Sequence, residues 1–270
     1  MNYVDACRLY SSRKPVHASG KMLEWLKAGL GFAHIRFNDG EMNSLLRLYK
    51  PEERNNCGHH YFLDLGDALL RMMREMKEAK PDRLLLGSYW HTQSEDISRL
   101  DQPCRAFVEW IIKEEMLDLP WVGSDDLVEG LMDGSTLPLF DEIRGQAEQG
   151  RRSILVGNPR IAPGAKCLGA EFVQIPRIDC WRYTTQLMAT MRGVLLNHPN
   201  AAVTWCCGMS KPWIFDLWRE FPNSCHLDAG HLFDAAVGEM NRAYSRRRNR
   251  AEEKWRCYED FFLPYYTRFQ

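Results

Sequence analysis

The chain has 270 residues, 45% hydrophobic and 26% charged, with 35 basic against 36 acidic side chains and a formal net charge of -1. These values exclude a disordered polymer and a globally basic nucleic-acid binder. No apolar run approaches the roughly 18 residues of a membrane span, and the opening MNYVDACRLYSSRKPVHASG lacks the apolar core of a signal peptide, so a cytoplasmic protein without a membrane span is expected.

In chain order, residues 20–30 (GKMLEWLKAGL) carry apolar side chains at helical spacing, and the following GFAHIRF is strand-like. Asn38, Asp39 and Gly40 predict a turn, with a helix opening at Glu41 and running through EMNSLLRLYK. LGDALLRMMREMKEAK (65–80) is a strongly amphipathic helix stopped by Pro81. RLLLGSYW (83–90) predicts a buried strand, and QPCRAFVEWIIKEEML (102–117) another helix. The second half alternates more cleanly. Strands are expected at RRSILVG (151–157), EFVQIP (171–176) and AAVTWCCG (201–208). Between and after them come the loop NPRIAPG, the long helix CWRYTTQLMATMRGVLLNH, the loop MSKP and the helix WIFDLWREF.

Short apolar strands separated by helices predict one Rossmann-like α/β domain whose mostly parallel sheet is flanked by helices. The domain is expected to span residues 1–240, with 241–270 a basic and aromatic appendage packed on it. The nine cysteines are odd in number and form no Cys-x-x-Cys pair, which predicts free thiols, several of them buried.

In an open parallel sheet, ligands bind beyond the carboxyl ends of the strands. Three segments lie there. In HIRFNDGEMNSLL, Arg36 ends a strand, and Asp39 and Glu41 flank a glycine, so two carboxylates can face one small volume. That spacing suits a hard divalent cation with oxygen ligands, and it equally suits an ordinary turn with an acidic residue at a helix start. In VGNPRIAPG and CCGMSKPW, Gly157 with Asn158 and Gly208 with Ser210 and Lys211 offer a close backbone approach and helix N-termini for phosphate. Neither loop is a Walker A sequence or a full Gly-x-Gly-x-x-Gly, so an ATPase or dinucleotide oxidoreductase is not supported. In HLDAGHLFD, Asp228, His231 and Asp234 recur every three residues around Gly230, a set able to bind metal, act as a general base or simply cap a helix.

The strand-RFNDGE-helix element resembles the RxGDGE signature of GT-D glycosyltransferases. HHYFLDLGDALLRMMREM, RLLLGSYW, VQIPRIDCWRYTTQLMATM, AVTWCCGMSKPWIFDLW and LDAGHLFD resemble later segments of that family in the same order, over roughly residues 20 to 245. Asn38 stands where the signature has glycine, and asparagine tolerates a left-handed conformation that would keep the turn. The resemblance implies a GT-D fold and a metal-dependent hexosyl- or pentosyltransferase. Its donor would be a nucleoside-diphosphate sugar, a UDP-sugar first, with Mn²⁺ or Mg²⁺ as cofactor. Asp39, Glu41 and Asp228 would hold the metal, while Arg36, Gly157, Asn158, Gly208, Ser210 and Lys211 line the nucleotide pocket. Asp228, His231 or Asp234 would serve as base. The acceptor would be a hydroxyl of a glycan or, given the arginines and aromatics after Tyr244, of a modified base in DNA; a homo-oligomer is the other use of that appendage. The competing expectations are a metal-dependent phosphohydrolase or nuclease using the same carboxylates, and a non-catalytic nucleotide-binding module.

Overall fold

The structure is a computed structural model that describes residues 18–50, 52–55, 58–88, 102–123, 127, 130–131, 133–234 and 261. The first helix, α1 (Ala18–Lys27), leads through Gly29 (φ 69°) into strand β1 (Phe32–Phe37). Next come α2 (Asp39–Leu46), α3 (Leu63–Ala79), β2 (Leu84–Ser88), α4 (Gln102–Lys113), β3 (Trp121–Gly123) and α5 (Leu137–Glu148). The second half contains β4 (Ser153–Gly157), a 3-10 turn at Pro159–Ile161, α6 (Pro163–Cys167) and β5 (Glu171–Gln174). A second 3-10 turn, Cys180–Tyr183, runs into α7 (Thr184–Asn197), followed by β6 (Ala202–Trp205), α8 (Lys211–Glu220) and β7 (Cys225–Asp228).

All seven strands pair in parallel, in the order β3-β2-β1-β7-β6-β4-β5. The expected sheet flanked by helices is therefore present, and it is wholly parallel among the described residues. Central strands are buried on both faces, which is why LLLGS and SILVG read as nearly continuous apolar runs, while in FAHIRF the buried His34 and Arg36 alternate with Ala33, Ile35 and Phe37. Side-chain parity still sorts them. Ala33, Ile35 and Phe37 face the core beneath α2, α3, α4, α7 and α8, whereas Phe32 faces the smaller core beneath α1, α5 and α6. Helix α3 follows the heptad-like spacing of Leu65, Leu69, Met72, Met73 and Met76, all at 0% exposure, and ends at Lys80 in the left-handed region just before Pro81.

Strands β1 and β7 are sheet neighbours although they stand first and last in the chain. From β1 the chain winds outward to β3, then crosses to fill the other half of the sheet and returns at β7. This junction is the topological switch point of the sheet, the place beyond whose carboxyl ends open parallel sheets bind their ligands.

Strand β3, helices α5 and α6, and strand β7 lie where no element was expected; β3, α6 and β7 are only three to five residues long, whereas α5 has twelve residues and opens with Pro138, a helix-start signal. Asp39 and Gly40 are the first residues of α2 and not a separate turn, and Asn38 is extended (φ -112°, ψ -173°), so it needs no left-handed backbone. Asparagine in the glycine position therefore costs nothing in backbone strain. No disulfide joins the six described cysteines, and five of them are buried. No described helix is long and apolar enough to cross a membrane. Of the expected appendage, only Phe261 falls among the described residues; it packs on Phe140 of α5 with ring centroids 5.6 Å apart. The arginines and other aromatics of that segment lie outside them.

Candidate functional site

At the carboxyl end of β1 the ladder to β7 runs out after His34, leaving the Arg36 N–H without a backbone acceptor on that side. Asp228, the last residue of β7, fills the gap: its Oδ2 accepts from the Arg36 N–H at 3.0 Å. The Arg36 side chain approaches the same carboxylate, with Nε 3.7 Å from Oδ1. From the opposite side, Lys211 at the first position of α8 places Nζ 2.6 Å from Asp228 Oδ2 and 3.5 Å from Glu41 Oε1. Glu41 Oε2 accepts from the Asn38 N–H at 2.9 Å, closing the first turn of α2. These side chains are almost wholly shut from water: Arg36 3%, Glu41 5%, Lys211 2% and Asp228 0% exposed.

Burial alone would raise the Asp228 pKa, but Lys211 and Arg36 outweigh it and hold the carboxylate below its ordinary range. Burial raises Glu41, with Lys211 opposing it. Lys211 loses from burial and gains more from Asp228 and Glu41, so it is held charged. His34, on β1 beside this group, is pushed down to about 3 by burial and is neutral. A lysine in the first turn of a helix opposes the helix dipole, so Lys211 is stable there because two carboxylates receive it.

The turn after β7 lies against Arg36. The N–H groups of Ala229 and Gly230 both donate to the Trp205 carbonyl, at 2.9 and 3.1 Å. Gly230 has φ 50°, and a Cβ on it would fall 1.3 Å from Arg36 Nη2. One turn further, His231 Nδ1 and Asp234 Oδ2 are 2.6 Å apart. Asp39, at the start of α2, is only half-buried, unlike Glu41.

The expected pocket residues divide into two groups. Gly208 (φ 55°), Ser210 and Lys211 share the β6–α8 loop, but Ser210 is buried with its hydroxyl 3.3 Å from Cys180 Sγ. Gly157 and Asn158 end β4, on the far side of β6 from the charged group. A Cβ on Gly157 would meet Ile161 Cδ1 at 2.3 Å, and Asn158 caps the 3-10 turn through the Arg160 N–H.

Sequence reasoning missed the segment that covers the site. His59 lies against Gly208, where a Cβ would meet Nε2 at 3.1 Å, and Asn55 and Met209 crowd Gly40. This cover is tied down by Asp179, which is left-handed (φ 56°). Its carboxylate accepts from the His60 N–H at 2.8 Å and pairs with His60 Nδ1 at 2.6 Å, while its own N–H donates to His59 Nδ1 at 3.0 Å. These partners stand 119 or 120 residues apart in the chain, and no local pattern announces them.

Asp39, Glu41 and Asp228 as a set do not fit a divalent ion held directly by all three, because Glu41 and Asp228 already share an ammonium. Among the described residues no group of three or more His, Cys, Asp or Glu side chains is arranged to hold a metal. A groove of about 260 Å³ lined by Pro81, Arg83, Trp218 and Pro222 lies at the amino ends of the strands, away from this chemistry.

An open, doubly wound parallel sheet with a buried arginine, lysine and two carboxylates at its switch point defines the class of protein: an α/β fold with a charged group at the carboxyl edge, where such sheets bind their ligands. No family model matches the chain, and no curated protein matches it. Solved structures do share the fold. A selenomethionine structure of domain of unknown function 1792 has a TM-score of 0.55 at 17% identity, covering 85% of this chain and 82% of that one. A structure of the same domain, described as having a distinct glycosyltransferase fold, has a TM-score of 0.54 at 17% identity with the same coverage. A third, described as a new glycosyltransferase from Streptococcus sanguinis, has a TM-score of 0.50 at 16% identity, covering 79% of this chain and 80% of that one. The chain thus has the glycosyltransferase fold of domain 1792.

Proposed function

We propose that the chain is a glycosyltransferase that moves a sugar from a nucleoside diphosphate, UDP by first preference, to an acceptor hydroxyl. The observation that carries this reading is the buried Arg36–Asp228–Lys211–Glu41 group at the switch point of a fold shared with glycosyltransferase-fold structures. In such a transfer the bond from the anomeric carbon to the diphosphate breaks, and a bond to the acceptor oxygen forms. The leaving diphosphate gains negative charge, and fixed cations in a site of low dielectric stabilise it most effectively. Arg36 and Lys211 are the cations that would serve here, with the diphosphate competing against Asp228 and Glu41 for them. The acceptor proton goes to a base, and the reading assigns this to His231, whose Nδ1 lies 2.6 Å from Asp234 Oδ2. Asp39, the half-buried carboxylate at the start of α2, is the residue that would meet a divalent ion arriving on the donor's own phosphate oxygens. The acceptor is a hydroxyl of a glycan or of a modified nucleobase.

The test is thermal unfolding against UDP, other nucleoside diphosphates and their sugars, with and without Mn²⁺, followed by transfer assays with the donor that responds. A ligand at 100 times its dissociation constant adds about 2.7 kcal/mol. Response to one nucleotide sugar, and loss of transfer in Asp39→Ala with an unchanged unfolding midpoint, supports the reading. Indifference to every nucleotide, or metal-driven phosphodiester cleavage with no donor present, replaces it with a hydrolase or docking module.

A further inference from the structure

We infer that the ammonium of Lys211 is the resident cation of the Glu41–Asp228 carboxylate pair. It takes the position that a divalent ion would otherwise occupy, so the nucleotide-free protein binds no Mn²⁺ or Mg²⁺ between these two carboxylates. The geometry gives one oxygen of each carboxylate a hydrogen bond and sets the other within ion-pair distance of a cation, Asp228 Oδ1 having no hydrogen-bond partner among the described residues. Asp228 Oδ2 accepts from Lys211 Nζ at 2.6 Å and from the Arg36 N–H at 3.0 Å, and Oδ1 faces Arg36 Nε at 3.7 Å. Glu41 Oε2 accepts from the Asn38 N–H at 2.9 Å, and Oε1 faces Nζ at 3.5 Å. A hard cation needs about six oxygens at roughly 2.0–2.6 Å, and these oxygens are already turned to nitrogen.

Charge balance points the same way. Arg36 and Lys211 match Glu41 and Asp228 one for one. A doubly charged ion entering this group would leave water and settle beside two like charges, with no net negative charge to receive it. The lysine is also placed for the purpose: its α8 position puts the ammonium between carboxylates from α2 and β7, elements far apart in the chain and joined here by this one atom. Removing the lysine side chain would open a small buried space facing two carboxylates, which is an empty cation site.

The experiment titrates MnCl₂ into nucleotide-free wild-type protein, Lys211→Ala, and Lys211→Ala combined with Glu41→Gln. Free Mn²⁺ is read by electron paramagnetic resonance and the unfolding midpoint in parallel. Lys211→Ala is expected to bind Mn²⁺ at least about ten-fold more tightly than wild type, with a midpoint that rises as metal is added, and the added Glu41→Gln is expected to abolish the gain. If Lys211→Ala is recovered unfolded, refolding by Mn²⁺ or by methylammonium counts for the inference, and failure of both overturns it. A Lys211→Ala variant that folds and gains no affinity overturns it too, as does Mn²⁺ binding by wild type that Asp228→Asn removes. All these readings use metal alone, so a failure of the glycosyltransferase assignment, seen as indifference to nucleotides, is separately visible.

Discussion

Lys211 and Asp228 form a 2.6 Å ion pair in which the lysine is 2% exposed and the aspartate 0%, joining the start of α8 to the end of β7. Breaking a buried pair by removing one partner strands the other charge in low dielectric and costs about 3–5 kcal/mol. Asp228→Ala should lose stability on that scale in urea unfolding. Arg47→Ala, which removes an ion pair to Asp67 between side chains 57% and 61% exposed, should change stability by about 1 kcal/mol or less. Equal losses in the two variants would show that the Asp228 charge is hydrated in the folded protein.

Two buried histidines set the acid response. Burial lowers His34 and His226 from 6.5 to about 3. The unfolded chain takes up these protons as pH falls through 6.5 while the folded chain does not, so stability is complete above 6.5 and declines towards pH 3. Each histidine contributes a slope of about 1.4 kcal/mol per pH unit inside that window. His226 is held by Trp205 Nε1 at 3.1 Å and by Ser224 Oγ at 2.7 Å. His226→Phe should therefore lower stability at pH 7 and flatten the decline between pH 6 and 4 by about one proton. An unaltered slope would mean that His226 titrates while folded.

Two glycines should respond in opposite directions to alanine. Gly230→Ala would place a Cβ 1.3 Å from Arg36 Nη2 on a backbone at φ 50°, displacing the guanidinium from the site. The left-handed backbone alone costs about 1–2 kcal/mol, and activity should fall with it. Gly193→Ala, in α7 with nothing within 4 Å, should stabilise by about 0.5–1 kcal/mol. Denaturant midpoints decide both, and a neutral Gly230→Ala would place the turn elsewhere in solution.

Asp179 secures the cover over the site through both of its oxygens and its own N–H. Asp179→Ala removes the acceptors and should increase amide exchange at His59, His60 and Tyr61 while the central strands stay protected. The local cost should be about 1–3 kcal/mol. Exchange that rises equally in β1 and β7 would show that Asp179 supports the whole sheet and not the cover alone.

The elements read most directly from sequence were those with strong local signals. The Leu65-to-Met76 stripe, the Pro81 stop and the short, largely apolar runs of β2 and β4 each follow from side-chain periodicity or backbone restriction within a few residues. RFNDGE drew attention to Arg36 and Glu41, which share one buried charged group in the structure, but its turn proved to be the first turn of α2. Strand β3, three residues long, and helix α6, five residues long, are too short for periodicity to register. The role of Lys211 had one local sign, a cation at the wrong pole of a helix, and that sign gains meaning only when its partners are known.

What the sequence by itself determined is the alternation of helices and apolar strands, because burial on two faces selects side chains locally and continuously along each segment. Only the tertiary structure decided which strands adjoin. By setting β1 beside β7 it brought Arg36, Glu41, Lys211 and Asp228 together across as many as 192 residues of chain between the hydrogen-bonded Arg36 and Asp228. The same packing set two carboxylates of the expected metal site, Glu41 and Asp228, against the side chains of Lys211 and Arg36. Charge pairing in a dry interior depends on distance in space, and spacing along the chain does not encode that distance.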